Sequence, residues 1–223
     1  MAKKKAMITE EKIMELYTDY CLMHNKRPNS VYQFSKDNEF EESEFYTFFT
    51  SFEQIERHYF SKMFHYSIEV MHQNPNYQNY DSRQQLTTFY FTFFEMATAN
   101  RSFVNYLLEN SKMPLKNASK LKQLRTLFIS FVKDVLENPI KMENQRGIDF
   151  QNRLVNEAAW IQFLTIFSFW LNDTSKQFEK TDIFIEKSVK ASFDLAYNVP
   201  IESIIDFGKF IWKEKIASNF SAK

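Results

Sequence analysis

Chain breakers, thiols and long apolar runs are all scarce in this sequence of 223 residues. There are two glycines, Gly147 and Gly208, and five prolines, Pro28, Pro75, Pro114, Pro139 and Pro200. Strands joined by tight turns need more of both, so the composition excludes a β-rich fold and predicts an all-α one cut by its prolines. The single cysteine, Cys21, excludes an internal disulfide framework. It falls on the apolar face of the first predicted helix as a small core residue, and it suits the cytoplasm. The most apolar run, 158–171, is too short for a bilayer and carries Gln162, Thr165 and Ser168, which predicts a buried helix and no membrane span. Segment 8–22 is broken by Glu10, Glu11, Glu15 and Asp19, so no export signal is expected there.

Catalytic groupings are equally thin. The histidines are His24, His58, His65 and His72. The last three recur at seven-residue spacing, about 10 Å per step along a helix, too far apart to share a metal. Glu69 lies one turn after His65 and reads as a surface pair. No phosphate-binding loop, dinucleotide fingerprint, serine elbow or cysteine pair is present. The chain is therefore expected to be no enzyme, with no cofactor and no metal.

What the sequence does have is punctuation. Ser30 followed by Gln33 has the spacing of a capping box, with Val31 and Phe34 on one helical face, so a short helix is predicted over 31–37. A turn follows at Asn38 and Glu39, where Asn38 is the candidate for a left-handed conformation. Phe40 plugs the turn. Phe45, Phe48 and Phe49 repeat at helical spacing to near Thr50, and Ser51 with Gln54 caps a longer helix. Preceded by a helix over 9–23, this is the layout of a helix-turn-helix.

The segment 9–60 resembles the N-terminal domain of the TetR family of bacterial regulators. The resemblance rests on Asn29-Ser30-Val31, on Phe45-Tyr46-Thr47-Phe48-Phe49, and on Thr50-Ser51-Phe52-Glu53-Gln54-Ile55. It implies an N-terminal helix-turn-helix domain over 1–55 and a larger helical effector-binding and dimerisation bundle over 56–223. It also implies operator DNA as a partner, with Ser30, Ser43, Tyr46, Thr47 and Phe48 as contact residues. Several positions depart from the family pattern: Asn38 and Glu39 replace a small residue and glycine, Glu41 and Glu42 replace a serine and a basic residue, and Phe48 and Phe52 replace a tyrosine and a lysine. Each of the last four changes deletes a phosphate partner. Between Ser30 and Glu56, one basic residue, Lys36, faces seven acidic ones: Asp37, Glu39, Glu41, Glu42, Glu44, Glu53 and Glu56. A net charge of about minus six is wrong for gripping a polyanion, although acidic residues in a first turn also suit the helix dipole. Nearby cations are Lys3, Lys4, Lys5, Lys26, Arg27 and Arg57.

Further helices are predicted over 52–73, 82–99, 102–110, 118–137, 150–171, 182–197 and 201–216. The 25 phenylalanines crowd these. Phe89, Phe93 and Met96 share a face, Phe128 and Phe131 another, and Trp160, Phe163 and Phe167 a third. They read either as core or as the lining of a pocket for a flat or long apolar effector, as sites between bundled helices often are. The resemblance implies pairing of protomers through 150–171 and 182–197, with Ile183, Phe184, Val189 and Phe193 as seam residues, unless they close the protomer's own core. The stretch 170–189, with Asp173, Phe178, Phe184 and Ile185, also resembles the end of the ubiquinone-biosynthesis accessory proteins, which share the fold and bind isoprenoid lipids. Two functions are thus expected: a dimeric regulator whose DNA binding responds to an apolar molecule, or a protein of the same fold that has lost DNA binding and binds a lipid or a protein partner.

Overall fold

A computed structural model describes residues 7–108, 119–136 and 145–198. Its helices are α1 (Glu10–His24), α2 (Val31–Asp37), α3 (Glu42–Phe48), α4 (Phe52–Gln73), α5 (Ser82–Ala99), α6 (Arg101–Leu107), α7 (Lys122–Val135), α8 (Gln145–Asn172) and α9 (Glu179–Asn198). No strand occurs among the described residues. The predicted limits of α2, α4 and α5 coincide with those observed. α3 stops two residues short of Thr50, and α8 begins at Gln145 rather than 150, running through Gly147. The predicted helix over 201–216, the loop over 111–117 and the lysines at 3, 4 and 5 lie outside the described residues.

Side-chain caps set the helix starts. Thr9 accepts from the Lys12 amide at 3.2 Å, Ser30 from Gln33 at 3.1 Å, Ser51 from Gln54 at 3.3 Å and Asp81 from Gln84 at 2.7 Å. The two serine boxes close differently from expectation. Gln33 accepts from the Asn29 side chain at 3.3 Å, and Gln54 from the Thr50 amide at 2.6 Å, so the residue before each cap takes the return bond. The turn between α2 and α3 also corrects the sequence reading. Glu39 adopts the left-handed conformation (φ 59°) while Asn38 stays at φ −107°. Asn38 instead donates its amide to the Phe34 carbonyl at 2.7 Å, satisfying the end of α2 by side chain.

α1 and the two short helices α2 and α3 form a head around Tyr17, Phe34 and Phe45, closed by Phe52 at the start of α4. The Tyr17 and Phe52 rings stack at 5.1 Å, and Phe34 meets Phe52 edge-on at 5.5 Å. α4 leaves this head and packs on α5 and α7; α5 and α8 pack on α9, and α7 on α8. α1 also packs on α6, so the head touches the larger bundle at a second place besides the shared α4. The stretch Arg153–Asn172 of α8 is long and apolar enough by composition to cross a membrane, longer than the run read from sequence. In the fold its Trp160, Phe163, Phe167 and Trp170 are buried among the other helices.

Candidate functional site

The helix-turn-helix presents Ser30, Ser43, Tyr46 and Thr47 on the exposed side of the head, and Phe48 half-buried against its core. The side chains of Ser30, Tyr46 and Thr47 are engaged locally. Ser30 is a cap, the Thr47 hydroxyl donates to the Ser43 carbonyl at 3.2 Å, and the Tyr46 hydroxyl, on a side chain 51% exposed, donates to Glu42 at 3.3 Å. These are weak, solvent-facing bonds that a stronger acceptor can replace. Glu44 is turned inward: it accepts from the amides of Glu41 at 2.9 Å and Ile8 at 3.4 Å, fixing the start of α3 and the chain before α1.

The acidic surplus is partly offset, because Glu53, on a side chain 54% exposed, and buried Glu56 are engaged in an ion network. Glu56, on α4, is 1% exposed. It accepts from the Tyr17 hydroxyl at 2.8 Å and from Arg27 at 2.7 Å through both Nε and Nη2, and lies 3.3 Å from the Lys120 ammonium. Arg27 also pairs with Glu53. Removing those two from seven leaves five acidic residues around α2 and α3. The same network removes Arg27 from the set of cations available to a phosphate. Lys36 remains exposed and sits 5.8 Å from the Tyr32 ring. Lys120 donates further to the Leu107 carbonyl at 2.7 Å, at the end of α6. One buried carboxylate thus ties α1, the α1–α2 loop, α4 and the α6–α7 region together. Sequence reading counted Glu56 as surface charge because nothing local marks it as buried.

In the larger bundle the expected pocket residues do come together, as ring packed on ring. Phe89 lies 5.8 Å from Phe93, 5.5 Å from Phe128 and 4.9 Å from Phe131; Phe163 lies 4.9 Å from Phe128, 5.2 Å from Trp160 and 5.9 Å from Phe167. These are direct ring contacts. Met96 departs from the set: its sulfur accepts from Ser67 of α4 at 3.4 Å. A flat molecule enters this layer only by parting rings that now touch. An open cleft of about 340 Å³ lies elsewhere, beside the helix-turn-helix, between Ile8, Lys12 and Phe40. Its walls are mostly exposed side chains, and it is not the expected pocket.

The sequence passed over Tyr90, which is fully buried in that layer, with its ring 6.0 Å from Phe128 and 6.1 Å from Phe163. Its hydroxyl has no hydrogen-bond partner, and neither does Nε2 of Gln162 on α8. An unmet buried donor costs roughly 1–3 kcal/mol. Burial raises the Tyr90 pKa, so the group remains a neutral donor. The only signal in the sequence was one hydroxyl inside the run Phe89-Tyr90-Phe91.

The expected seam residues divide. Ile183 is 49% exposed, Phe184 is half-buried and stacks on Phe169 at 4.4 Å, and Phe193 is half-buried against the core. Val189 is 0% exposed and closes the protomer's own core, so it faces inward rather than towards a partner. The outer face of α8 and α9 instead carries Leu154, Ile161 and Leu195, 41%, 62% and 55% exposed. Leu154 and Ile161 recur at seven-residue spacing with Ala158 between them, a stripe lost in a sequence apolar on every side.

Between α8 and α9 the chain is pinned by Asp173, which accepts from Ser175 (amide 2.8 Å, hydroxyl 2.6 Å) and Thr181 (amide 2.9 Å, hydroxyl 2.7 Å). Burial opposes its charge, but these four bonds prevail and hold its pKa at about 2. Arg101 closes the end of α8, donating to the Trp170 and Leu171 carbonyls at 3.0 Å each, with its guanidinium 4.4 Å from the Trp170 ring and 4.6 Å from that of Phe178.

Comparison with known proteins gives one match. The family description "Tetracyclin repressor-like, C-terminal domain" matches residues 85–211, more than half of the chain. Searches of curated proteins and of solved structures gave no match. The matched span begins in α5 and takes in the aromatic layer and α7 to α9, the part of the chain in which sequence reading placed the effector and the seam. With an all-α fold and a helix-turn-helix ahead of that span, the chain belongs to the tetracyclin repressor-like family of regulators.

Proposed function

We propose that the protein is a dimeric, DNA-binding regulator whose operator affinity is set by an apolar small molecule in the C-terminal bundle. The observation that carries this reading is the exposed α3 face with Ser43, Tyr46 and Thr47, held on the same α4 that packs on the aromatic layer. The domain division at residue 55 and 56 belongs to the same proposal. α4 is the shared element, and a ligand that prefers one arrangement of the bundle shifts the head through it. Two-fold pairing through Leu154, Ile161, Ile183 and Leu195 would place two α3 helices on one duplex face.

The test is selection from a random duplex library with purified protein at low and at physiological salt. The expected result is a palindrome whose affinity falls steeply with salt, and a footprint that Tyr46→Ala removes. A footprint unchanged by Tyr46→Ala would take that residue out of the contact set.

A second reading is favoured by the five acidic residues left around α2 and α3: the fold retained, DNA binding lost, and a lipid-like molecule or protein partner bound instead. It predicts no enriched duplex at either salt and a co-purifying apolar molecule visible by mass spectrometry. Protein that is empty and ignores added isoprenoids would rule out the lipid version.

A further inference from the structure

Two buried polar atoms of the aromatic layer have no partner. The Tyr90 hydroxyl and the Gln162 amide are buried donors, and they meet neither each other nor any other protein group. Tyr90 is on α5, with its ring 6.1 Å from that of Phe163, and Gln162 is on α8, next to Phe163 in the chain. An inert core would gain stability by carrying phenylalanine at position 90, since a buried hydroxyl without a partner costs free energy and gives nothing back. Among the described residues one other buried side-chain atom lacks a partner, the Ser35 hydroxyl of α2 in the head, while the buried polar groups nearest the layer's end are engaged. Asp173 takes four bonds, and the Trp170 indole donates to the Thr98 hydroxyl at 2.9 Å. The unmet pair is therefore local to the aromatic layer.

We propose that Tyr90 is the specificity anchor of the effector site, donating its hydroxyl to an acceptor oxygen on a flat apolar ligand, an aromatic carbonyl compound, inserted among Phe89, Phe128 and Phe163. This rests on the effector reading above and names the ligand class for it. The rings supply faces for a planar hydrocarbon frame, and each alone would hold any such frame equally well. The hydroxyl supplies the distinction, because a ligand without an acceptor leaves the donor buried and unmet while a ketone satisfies it. Gln162 provides a second donor for an oxygen with two lone pairs.

The experiment compares 9-fluorenone with fluorene, which share a rigid tricyclic frame and differ at the carbonyl. Binding to the full chain is measured by calorimetry for the native protein and for Tyr90→Phe, with the melting temperature of each recorded unliganded. The expected result is fluorenone bound at least ten-fold more tightly than fluorene by the native protein, a preference lost in Tyr90→Phe, and an unliganded melting temperature for the variant no lower than native. Equal binding of ketone and hydrocarbon by the native protein overturns the anchor and leaves the apolar effector site standing. A ketone preference that survives Tyr90→Phe likewise overturns it. Binding of neither compound overturns both the anchor and the placement of the effector site among these rings. Should Tyr90→Phe fail to fold, Gln162→Leu, at a position only half-buried, takes its place, and an unchanged preference in that variant overturns the two-donor form of the site.

Discussion

Single residues carry strain and charge that no helical pattern predicts. Glu39 holds a left-handed backbone at the helix-turn-helix turn. Glycine adopts that conformation without steric cost, so Glu39→Gly is expected to raise stability by about 1 kcal/mol, or 2–4 °C in melting temperature for a chain of this size. An unchanged or lower value by thermal scan would mean that the Glu39 side chain contributes more than its backbone costs. Asp173 sets an acid limit. Its pKa is about 2 in the fold against the ordinary 3.8, so the unfolded chain binds the extra proton between those values. The stabilisation is fully present above about pH 4, is lost as pH falls towards 2, and amounts to roughly 2 kcal/mol. Asp173→Asn should flatten that part of the acid-unfolding curve, and a curve of unchanged slope would assign acid sensitivity to other carboxylates.

At the scale of elements, α4 is the member the rest are hung on. It starts in the head, capped by Ser51, and its buried Glu56 gathers Tyr17 from α1, Arg27 from the following loop and Lys120 from the run into α7. The carboxylate offsets Lys120, 16% exposed, and Arg27, 36% exposed, and deleting it takes this partner from both and leaves Arg27 with Glu53. Glu56→Ala is expected to cost on the order of 3–5 kcal/mol, with a melting temperature lower by about 10 °C. A fall of under about 3 °C would show that Arg27 and Lys120 swing out to water and that the network is dispensable. The seven-residue helices α2 and α3 have no comparable burial of their own. Their positions are fixed by Phe34 and Phe45 inserted against Tyr17 and Phe52.

For the whole molecule, charge opposes geometry on the head, and core competes with seam on the bundle. Leu154 and Ile161 on α8 and Ile183 and Leu195 on α9 are large apolar side chains left exposed within one protomer. If the protein pairs through these residues as proposed, Ile161→Glu converts the dimer to monomers in sedimentation at micromolar concentration while leaving helical content intact, because the side chain already faces solvent within one protomer. A dimer that persists would move the seam off this face. Dissociation would also separate the two α3 helices, so the same variant should lose cooperative operator binding if the protein reads DNA.

The sequence by itself determined the class of fold and most of its boundaries. Ser30, Ser51 and Asp81 start helices through bonds to residues three positions away, and the scarcity of glycine and proline leaves no room for strands. Such signals are local, so they survive without knowledge of the fold. The tertiary structure alone decided which of two residues takes the strained turn, which of the seven acidic residues goes inside, that Val189 faces inward while Ile161 faces out, and that Tyr90 ends without a partner. Each of these depends on what a distant segment brings alongside, and in a chain where aromatics occupy several faces of the same helix, periodicity cannot say which face meets which neighbour.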